Sequence, residues 1–307
     1  MKKHIIDLLN KNDITELTIA DVGAKGSVEF IEELSGITII HAFEPNPVEC
    51  NNLKILYKDY PFKTFHLNEL GLAENSGVAT FYLTNHNSMS SFLKPDIENY
   101  EKHFGSYNEF SSWKSNIDTQ ETISINIQKA DEYFNDKDVD YLKLDTQGSE
   151  LYILKGAKKL IQNKKIHVIK VEVSTIPIYK DQALFSDIDL FLRENHYELI
   201  DFITYRNENT SLLNRGQVHA HYAPCGDAIY VLIDNEALKS CNIKKGIFLY
   251  WLGYTSIANF FFEKAALSVD DINTLKSIKT SNHKSFYLRL LKNIIPPVLF
   301  KLMKRIK

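Results

Sequence analysis

The residue types that could do chemistry in this sequence recur at one kind of place, the point where an apolar run of strand length ends. Five such ends carry acidic or amide side chains: Asp21, Glu44, Asn68 with Glu69, Asp145 and Glu172. In an open parallel sheet, the carboxyl ends of the strands face one crevice in which ligands bind. We therefore expect these ends to meet at one site whose chemistry is carried by carboxylates.

The first of these ends carries a glycine turn, since residues 21–26 read D-V-G-A-K-G. Gly23 lets a ligand approach the backbone closely, and Gly26 permits the turn that follows. A carboxylate such as Glu44, roughly twenty residues further on, can accept hydrogen bonds from both hydroxyls of a ribose. The pair predicts an adenosine site. The alternative is that the glycines only close a tight turn and that Glu44 is a solvated strand end.

Two adenosine ligands compete for this site, a dinucleotide and S-adenosylmethionine. A pyrophosphate requires a helix N-terminus with a full run of glycines, and the G-x-x-G spacing here leaves that fingerprint incomplete. S-adenosylmethionine presents an amino acid and a sulfonium cation, which acids such as Asp21 favour. The sequence thus favours S-adenosylmethionine over the cofactor of an NAD-dependent oxidoreductase.

Apolar strand-length runs alternate with helical patterns along residues 17–233, which predicts an α/β fold with parallel strands and right-handed crossovers. Asn46 and Pro47 predict the start of a helix. A short helix is also expected over residues 29–34. Residues 84–120 form a long polar and aromatic insertion of the kind that serves as a lid or binding loop.

Length and composition indicate an ordinary globular protein. The chain has 307 residues, 44% hydrophobic and 24% charged, so a disordered chain is excluded. The three cysteines form no C-x-x-C pair, which favours a reducing cytoplasm over a disulfide framework. We find neither a signal peptide nor a membrane-spanning run. The expected domains are a catalytic domain over residues 1–240, a helical extension over 241–281 and a basic amphipathic tail over 282–307.

Five motifs occur in a fixed order: D-V-G-A-K-G (21–26), F-E-P-N-P (43–47), N-S-M-S-S (87–91), Y-L-K-L-D-T-Q-G-S-E-L-Y-I-L-K-G-A (141–157) and G-D-A-I-Y-V (226–231). In order and spacing they resemble the FkbM family of S-adenosylmethionine-dependent methyltransferases over some two thirds of the chain. The resemblance implies a class I methyltransferase (Rossmann-like) fold, with a mostly parallel seven-stranded sheet and helices on both faces. It also implies O-methylation, often of sugars.

The resemblance further implies a set of cofactor-binding residues: Asp21, Gly23, Ala24, Lys25, Gly26, Glu44, Asn46, Glu69, Ser88 or Ser91, and Asp145. Two positions depart from the family pattern. Lys25 replaces the usual Asn and adds a cation beside the turn, unless it points to solvent. Gln147 replaces the usual Glu and removes a carboxylate from its position.

Methyl transfer to a sugar needs help at the acceptor, because a hydroxyl is a poor nucleophile whose proton must be removed by a base or with a metal ion. Asp145 and Glu172 are the leading catalytic candidates. Two carboxylates close together could raise one pKa or bind a divalent cation, and the sequence leaves metal dependence open. Alternatively, Asp145 orients the amino group of the cofactor and Glu172 caps a loop.

His219 and His221 are the second catalytic candidates, because alternate residues of an extended segment point to one side. They could serve as bases or metal ligands, or be exposed loop residues. His41 and His167 lie inside apolar strands and are expected to be core residues. Tyr179 and Tyr205, as surface aromatics, could stack on a sugar ring.

The last segment is strongly basic, with nine Lys or Arg and no Asp or Glu from residue 276 to 307. Its tail, 282–307, could lie on an anionic membrane, pack on the acidic body or stay disordered. A nucleic-acid partner is not expected, and a homo-oligomer stays open. The sequence predicts a cytoplasmic enzyme that O-methylates a sugar or glycan precursor. If the tail binds a membrane, the enzyme would lie at the inner face of that membrane. The alternatives are another small hydroxylated metabolite and a non-catalytic adenosine-binding module.

Overall fold

A computed structural model describes residues 2–104, 111–204 and 225–281. The chain divides into two compact units. The larger contains residues 15–30 and 35–237, and the smaller contains residues 2–14, 31–34 and the segment from residue 238 onwards. Within the described ranges, the candidate site residues named above lie in the larger unit. The predicted boundaries at residues 240 and 281 stay a prediction.

Ten strands occur in the described residues: β1 (Leu17–Val22), β2 (Thr38–Phe43), β3 (Thr64–Asn68), β4 (Gly71–Leu72), β5 (Gly77–Thr84), β6 (Thr119–Gln128), β7 (Val139–Leu144), β8 (Ile166–Ser174), β9 (Tyr197–Thr204) and β10 (Cys225–Leu232). Seven of them form one sheet in the order β3-β2-β1-β7-β8-β10-β9. The neighbours from β3 to β8 are parallel, and β10 is antiparallel to both β8 and β9. The predicted α/β fold with a mostly parallel seven-stranded sheet is confirmed.

The helices of the described residues are α1 (Lys2–Lys11), α2 (Pro47–Tyr57), α3 (Ile97–Phe104), α4 (Ser111–Ile117), α5 (Ala130–Phe134), α6 (Glu150–Gly156), α7 (Lys158–Gln162), α8 (Phe185–Glu194), α9 (Lys239–Trp251), α10 (Thr255–Lys264) and α11 (Val269–Leu275). The helix expected over residues 29–34 is wrong, because a 3-10 helix spans Glu32–Ile37 instead. Glu29 is held outside a helix, since its amide donates to Asp21 and its carboxylate accepts hydrogen bonds from Tyr141 and Lys170.

One face of the large sheet is apolar and packs against the helices that follow it. Ala20, Leu142 and Ile169 belong to this buried core, together with residues of α6 to α8 such as Leu154 and Leu192. Each such side chain contributes about 1.5–3 kcal/mol through burial. This face fixes the strands and leaves their ends to carry the site.

The opposite face carries charge near the edge where the parallel strands end, because strand side chains alternate between faces. Its row of charged residues crosses four strands: Asp21 on β1, Lys143 on β7, Lys170 and Glu172 on β8, and Asp227 on β10. The register places Asp21 beside Lys143, Lys143 beside Lys170 and Glu172 beside Asp227. This edge is where the sequence predicts the ligand site.

The described part of the 84–120 insertion leads from β5 to β6, which pair antiparallel in a second, three-stranded sheet. It contains a 3-10 helix (Asn87–Met89), α3 and α4. Pro95 forms a bridge with Tyr179, and the Lys180 amide donates to the Lys94 carbonyl oxygen (2.8 Å). The insertion is therefore fastened to the segment that follows β8.

In the smaller unit, α9 and α10 pack closely because Gly246 has no side chain. A Cβ there would come within 2.3 Å of the Phe262 ring. The predicted helical segment over residues 246–275 is confirmed by α9, α10 and α11. Within the described ranges, no helix combines the length and apolarity needed to cross a bilayer.

Candidate active site

The glycine turn after β1 is locked to both neighbouring strands. The amides of Gly23 and Ala24 donate to the Phe43 carbonyl oxygen at the end of β2 (3.0 and 3.1 Å). Gly23 has φ +76°, and a Cβ on it would lie 2.0 Å from the carbonyl oxygen of Asp145. Only glycine lets the ends of β1 and β7 approach this closely. Gly26 also has a positive φ of +77°, but open space surrounds it.

Asp21 lies beneath this turn and is fully buried. One carboxylate oxygen accepts from the Glu29 amide (2.7 Å) and the other from Lys143 Nζ (3.1 Å). Burial raises the pKa of Asp21, and the Lys143 ammonium opposes that rise. Its place in the cofactor set stays a prediction, and in this structure it supports the turn from below.

Glu44 presents a buried carboxylate at the end of β2. Its Oε1 accepts from the Asn46 amide (2.9 Å), and no donor among the described residues reaches Oε2. Burial raises the pKa of Glu44 to about 7, against the Asn46 hydrogen bond. Asn46 caps α2 as predicted, with Oδ1 accepting from the Val48 amide (3.0 Å). Contacts from Glu44 or Asn46 to a ribose stay predictions.

Lys25 lies over the turn among acids rather than pointing freely into solvent. Its side chain is half-buried, and burial lowers its pKa, while Glu49, Glu44 and Asp145 raise it. The described residues offer Lys25 no hydrogen bond and no ion pair within 4 Å. Its ammonium group therefore lies near Glu49, Glu44 and Asp145 without a direct ion pair to any of them.

The end of β7 begins the second half of the site. The Asp145 side chain is 39% exposed and lies 3.5 Å from Lys143 Nζ, so it can touch a ligand where the buried Asp21 cannot. Gln147 Nε2 donates to Asp145 Oδ1 (3.2 Å) and to Glu172 Oε2 (2.6 Å). The two predicted catalytic carboxylates are therefore brought together, with an amide between them.

The pKa of Glu172 lies well above its ordinary value. Burial is the main cause, followed by repulsion from Asp145, Glu150 and Asp227, while Lys143 opposes the rise. A carboxylate with a raised pKa is a stronger proton acceptor once it is ionised. Glu172 therefore keeps its proton to a higher pH than an exposed glutamate does.

A loop from the insertion covers this half. The Tyr179 hydroxyl donates to the Met89 carbonyl oxygen (2.8 Å), and the Ser91 hydroxyl donates to the Thr146 carbonyl oxygen (3.4 Å). Tyr179 is only 2% exposed, so the expectation of a surface aromatic is wrong. The bridge to Pro95 buries it.

The remaining predicted residues lie at the margin or outside the described ranges. Ser88 shares a hydrogen bond with His86, and Glu69 is exposed just after β3. Four predictions concern residues outside the described ranges and stay predictions: those for His219, His221, Tyr205 and the tail 282–307.

Of the two strand histidines, His167 is a core residue as predicted, whereas the prediction is wrong for His41, which is half-buried and stacks on the exposed His66. His167 is buried and its Nδ1 lies 3.1 Å from Asp140 Oδ1. His41 contacts the Tyr133 hydroxyl (2.9 Å), and burial lowers its pKa to about 4.

Sequence reasoning missed three contributors. Lys143 could have been noticed, because a lysine inside the apolar strand of residues 139–144 needs acidic partners. The bridging role of Gln147 had no signal beyond its departure from the family pattern. His86 had no signal in the sequence. It lies near Lys25, and its pKa is lowered mainly by burial and also by the charge of Lys25.

The sheet order and the acid-lined crevice define a class I methyltransferase fold with an adenosine-type site. Residues 21–199 match the model of the methyltransferase FkbM domain. The chain therefore belongs to the FkbM methyltransferase family, and it is an S-adenosylmethionine-dependent methyltransferase. No curated protein matches the sequence significantly.

Solved structures with a similar fold are distant in sequence. The magnesium protoporphyrin IX methyltransferase of Synechocystis PCC 6803 is 10% identical, with a TM-score of 0.34 over 75% of this chain and 77% of that one. An S-adenosylmethionine-dependent methyltransferase from Clostridium acetobutylicum ATCC 824 is 8% identical, with a TM-score of 0.34 over 76% and 91%. An rRNA methylase from Streptococcus thermophilus is 9% identical, with a TM-score of 0.33 over 74% and 93%. The family assignment rests on the domain match.

The chemistry of the residues present fits S-adenosylmethionine. Glu44 offers an oxygen to a ribose hydroxyl, and Gly23 leaves the backbone open for close approach. Asp145 is the exposed carboxylate nearest the turn and would face the amino acid part. Among the described residues, no group of three or more His, Cys, Asp or Glu is placed to hold a metal ion.

Proposed function

We propose that this protein transfers a methyl group to a hydroxyl of a sugar or glycan precursor, with Glu172 as the general base. The observation that carries this proposal is the pairing of Glu172 with Asp145 at the ends of β8 and β7, beside the glycine turn. A carboxylate pair suits hydroxyl groups, because carboxylates accept hydrogen bonds from them and remove their protons.

The reaction needs an acceptor oxygen held in line with the bond that breaks. S-adenosylmethionine supplies a methyl group on a positively charged sulfur. Glu172 would take the proton of the acceptor hydroxyl while the hydroxyl oxygen forms its bond to the methyl carbon. The carbon–sulfur bond would break at the same time, and its electron pair would stay on sulfur. Asp145, held by Lys143 and Gln147, orients the reacting groups.

The raised pKa of Glu172 gives the proposal a pH signature. Only the ionised form can accept the acceptor proton, so kcat/KM should rise with pH until Glu172 is fully ionised. Since Asp145 is one cause of the raised pKa, D145N should move this rise to lower pH. A pH profile of the two proteins measures both effects.

The loop over the site supports a polar acceptor of limited size. Tyr179 and Met89 join the insertion to the segment after β8, and this contact lies next to the Gln147 side chain (Tyr179 hydroxyl to Oε1, 3.4 Å). Amide and carboxylate groups at the floor match the vicinal hydroxyls of a sugar ring.

The test is methyl transfer from labelled S-adenosylmethionine to a panel of acceptors: free oligosaccharides, nucleotide sugars, lipid-linked glycans and non-sugar polyols or phenols. The proposal expects a methylated sugar hydroxyl, located by NMR. Transfer only to non-sugar hydroxyls would favour another small metabolite. Binding of S-adenosylhomocysteine with no transfer to any acceptor would favour a non-catalytic module.

For the cellular location, we propose a cytoplasmic enzyme whose tail 282–307 contacts anionic membranes, where a lipid-linked acceptor would lie. The support is the sequence pattern of the tail. The spacing of its apolar residues predicts that they would share one face of a helix, with basic residues on the other faces. Co-sedimentation of the full-length protein with anionic and neutral vesicles tests it. The expected result is a preference for anionic vesicles that is lost when Lys301, Lys304 and Arg305 are changed to Glu. Equal binding of the wild type to anionic and neutral vesicles would contradict it.

A further inference from the structure

The side chain of Gln147 lies between the carboxylates of Asp145 and Glu172, in the half of the site that we propose for the acceptor and call the acceptor half. Its single nitrogen lies 2.6 Å from Glu172 Oε2 and 3.2 Å from Asp145 Oδ1. A primary amide nitrogen carries two hydrogens and accepts none. The two hydrogens are therefore matched to two acceptors, one on each carboxylate.

The oxygen end of the amide lies beside the loop that covers the site. The Tyr179 hydroxyl lies 3.4 Å from Gln147 Oε1, and the same hydroxyl donates to the Met89 carbonyl oxygen. The nitrogen therefore faces the acids and the oxygen faces the loop that covers the site.

The backbone supports this placement at a cost. Gln147 has φ +59°, a left-handed conformation that side chains other than glycine rarely adopt. Its neighbours are held by Glu150, whose Oε1 accepts from the amides of Thr146 and Gly148 (2.8 and 3.2 Å). Strain of this kind persists where surrounding contacts fix a side chain for a function.

Two carboxylates that accept from one amide nitrogen need partners, because their charges repel each other. A divalent cation is one common partner, with carboxylate oxygens at about 2.0–2.6 Å from the ion. An ion that joined Asp145 and Glu172 would need the space that the Gln147 nitrogen fills. The amide NH2 group only donates hydrogen bonds, so its nitrogen is not a ligand for the ion.

We propose that Gln147 is a positioning residue whose amide takes the place of a bridging divalent cation, so that Asp145 and Glu172 form a metal-independent pair. This inference rests on the proposed role of Glu172 in methyl transfer. The amide holds one oxygen of each acid by neutral donors, and Lys143 Nζ lies 3.5 Å from Asp145 Oδ2.

The proposal predicts what happens when the donor is replaced by an acceptor. In Q147E three carboxylates would face one another, and carboxylate oxygens are ligands that hard divalent cations prefer. Q147E should therefore bind one Mn²⁺ more tightly than the wild type, on the order of tenfold or more. Electron paramagnetic resonance of free Mn²⁺ during titration of the full-length protein measures this affinity.

Two further variants show where a gained ion binds. Q182E adds the same charge on a nearby glutamine, whose nitrogen donates to the Ser174 hydroxyl rather than bridging two acids. It should bind Mn²⁺ as the wild type does. Q147E combined with E172Q should lose the gained affinity.

Titration of each protein with S-adenosylhomocysteine shows that it is folded and retains the cofactor pocket. If Q147E is folded by this criterion and gains no Mn²⁺ affinity over Q182E, the bridging role is wrong. If the wild type itself binds one Mn²⁺ that E172Q abolishes, the cation is the native bridge and the proposal is wrong. Where Q147E fails to fold, the wild-type and E172Q titrations still decide between the two bridges. None of these Mn²⁺ results depends on an acceptor, so the absence of methyl transfer would count against the proposed function alone.

With an acceptor in hand, the same Q147E protein gives a second readout. Its methyl transfer should be low without metal and increase when Mn²⁺ is added, whereas wild-type activity should be unchanged by chelation with EDTA. A loss of wild-type activity on chelation, restored by Mn²⁺, would overturn the proposal.

Discussion

The two halves of the site are built in different ways. The cofactor half, at the ends of β1 and β2, comes from two short segments, residues 21–26 and 43–49, which backbone hydrogen bonds hold together. The half proposed for the acceptor joins three distant segments, the insertion and the ends of β7 and β8, through hydrogen bonds of the Gln147 and Tyr179 side chains.

This difference separates what is rigid from what is tunable. Backbone contacts such as those of Gly23 tolerate almost no substitution, because a single added carbon atom collides with the next strand. Side-chain contacts such as those of Gln147 can be exchanged one at a time, and each exchange alters charge rather than fold. We expect mutations in the first half to affect stability and cofactor binding, and those in the second half to affect turnover.

The largest effect is expected in the acceptor half. E172Q removes the base while keeping the shape of the side chain, and kcat should fall by about 10²- to 10⁴-fold. The measurement is methyl transfer to an acceptor found in the panel. S-adenosylhomocysteine affinity should stay within a few-fold of wild type, and a variant that keeps full turnover would remove Glu172 from the mechanism.

The next effect is expected in the cofactor half and acts on folding. G23A forces a Cβ to within 2.0 Å of the Asp145 carbonyl oxygen and also strains a φ of +76°. The free energy of unfolding should fall by about 3 kcal/mol or more. G26A, with a similar φ and open space, is the matched control and should lose about 1 kcal/mol. Equal losses in urea denaturation would contradict the close approach of the two strands.

Glu44 should couple pH to both stability and binding. Burial raises its pKa from 4.5 to about 7, so between these two values the folded chain binds more protons than the unfolded chain, and the free energy of unfolding falls as pH rises. E44Q removes this loss, so its free energy of unfolding at pH 8 should exceed that of the wild type by up to about 3 kcal/mol.

The same carboxylate must be ionised to accept ribose hydroxyls. Wild-type affinity for S-adenosylhomocysteine should therefore rise by about tenfold from pH 6 to pH 8, and E44Q should bind weakly at both. Calorimetry at the two pH values checks this, and a wild-type affinity that is flat across the range would remove Glu44 from the ribose contact.

The smallest effect is expected at Lys25. Because Lys25 lowers the pKa of Glu44, K25M should shift the pH dependence of S-adenosylhomocysteine binding upward and weaken it at pH 7 by about two- to fivefold. K54M, on the exposed side of α2, is the control and should bind as the wild type does. Tighter binding by K25M would mean that the cation opposes the ligand.

The same contrast explains how far the sequence could be interpreted. The glycine turn, Glu44 and the Asn46 cap were predictable because each depends on residues within one turn and on the general rule that ligands bind at strand ends. Asp145 and Glu172 were predictable as separate strand ends. Their bridge was not, because no local pattern indicates that Gln147 has a left-handed backbone and reaches two strands.

Burial was the other quantity that the sequence concealed. Tyr179 was expected at the surface, but a bridge to the insertion buries it, and Glu29 was expected in a helix, but distant charges hold it outside one. Both outcomes depend on pairings across long stretches of chain, which propensity and periodicity do not contain.

The most direct test of the site as a whole is a crystal structure of the full chain with S-adenosylhomocysteine. We predict the ribose hydroxyls on Glu44 and the sulfur atom directed toward Asp145 and Glu172, with Gln147 still between the two carboxylates. A ribose bound away from Glu44, or a sulfur atom directed away from Glu172, would contradict the proposed division of the site into cofactor and acceptor halves.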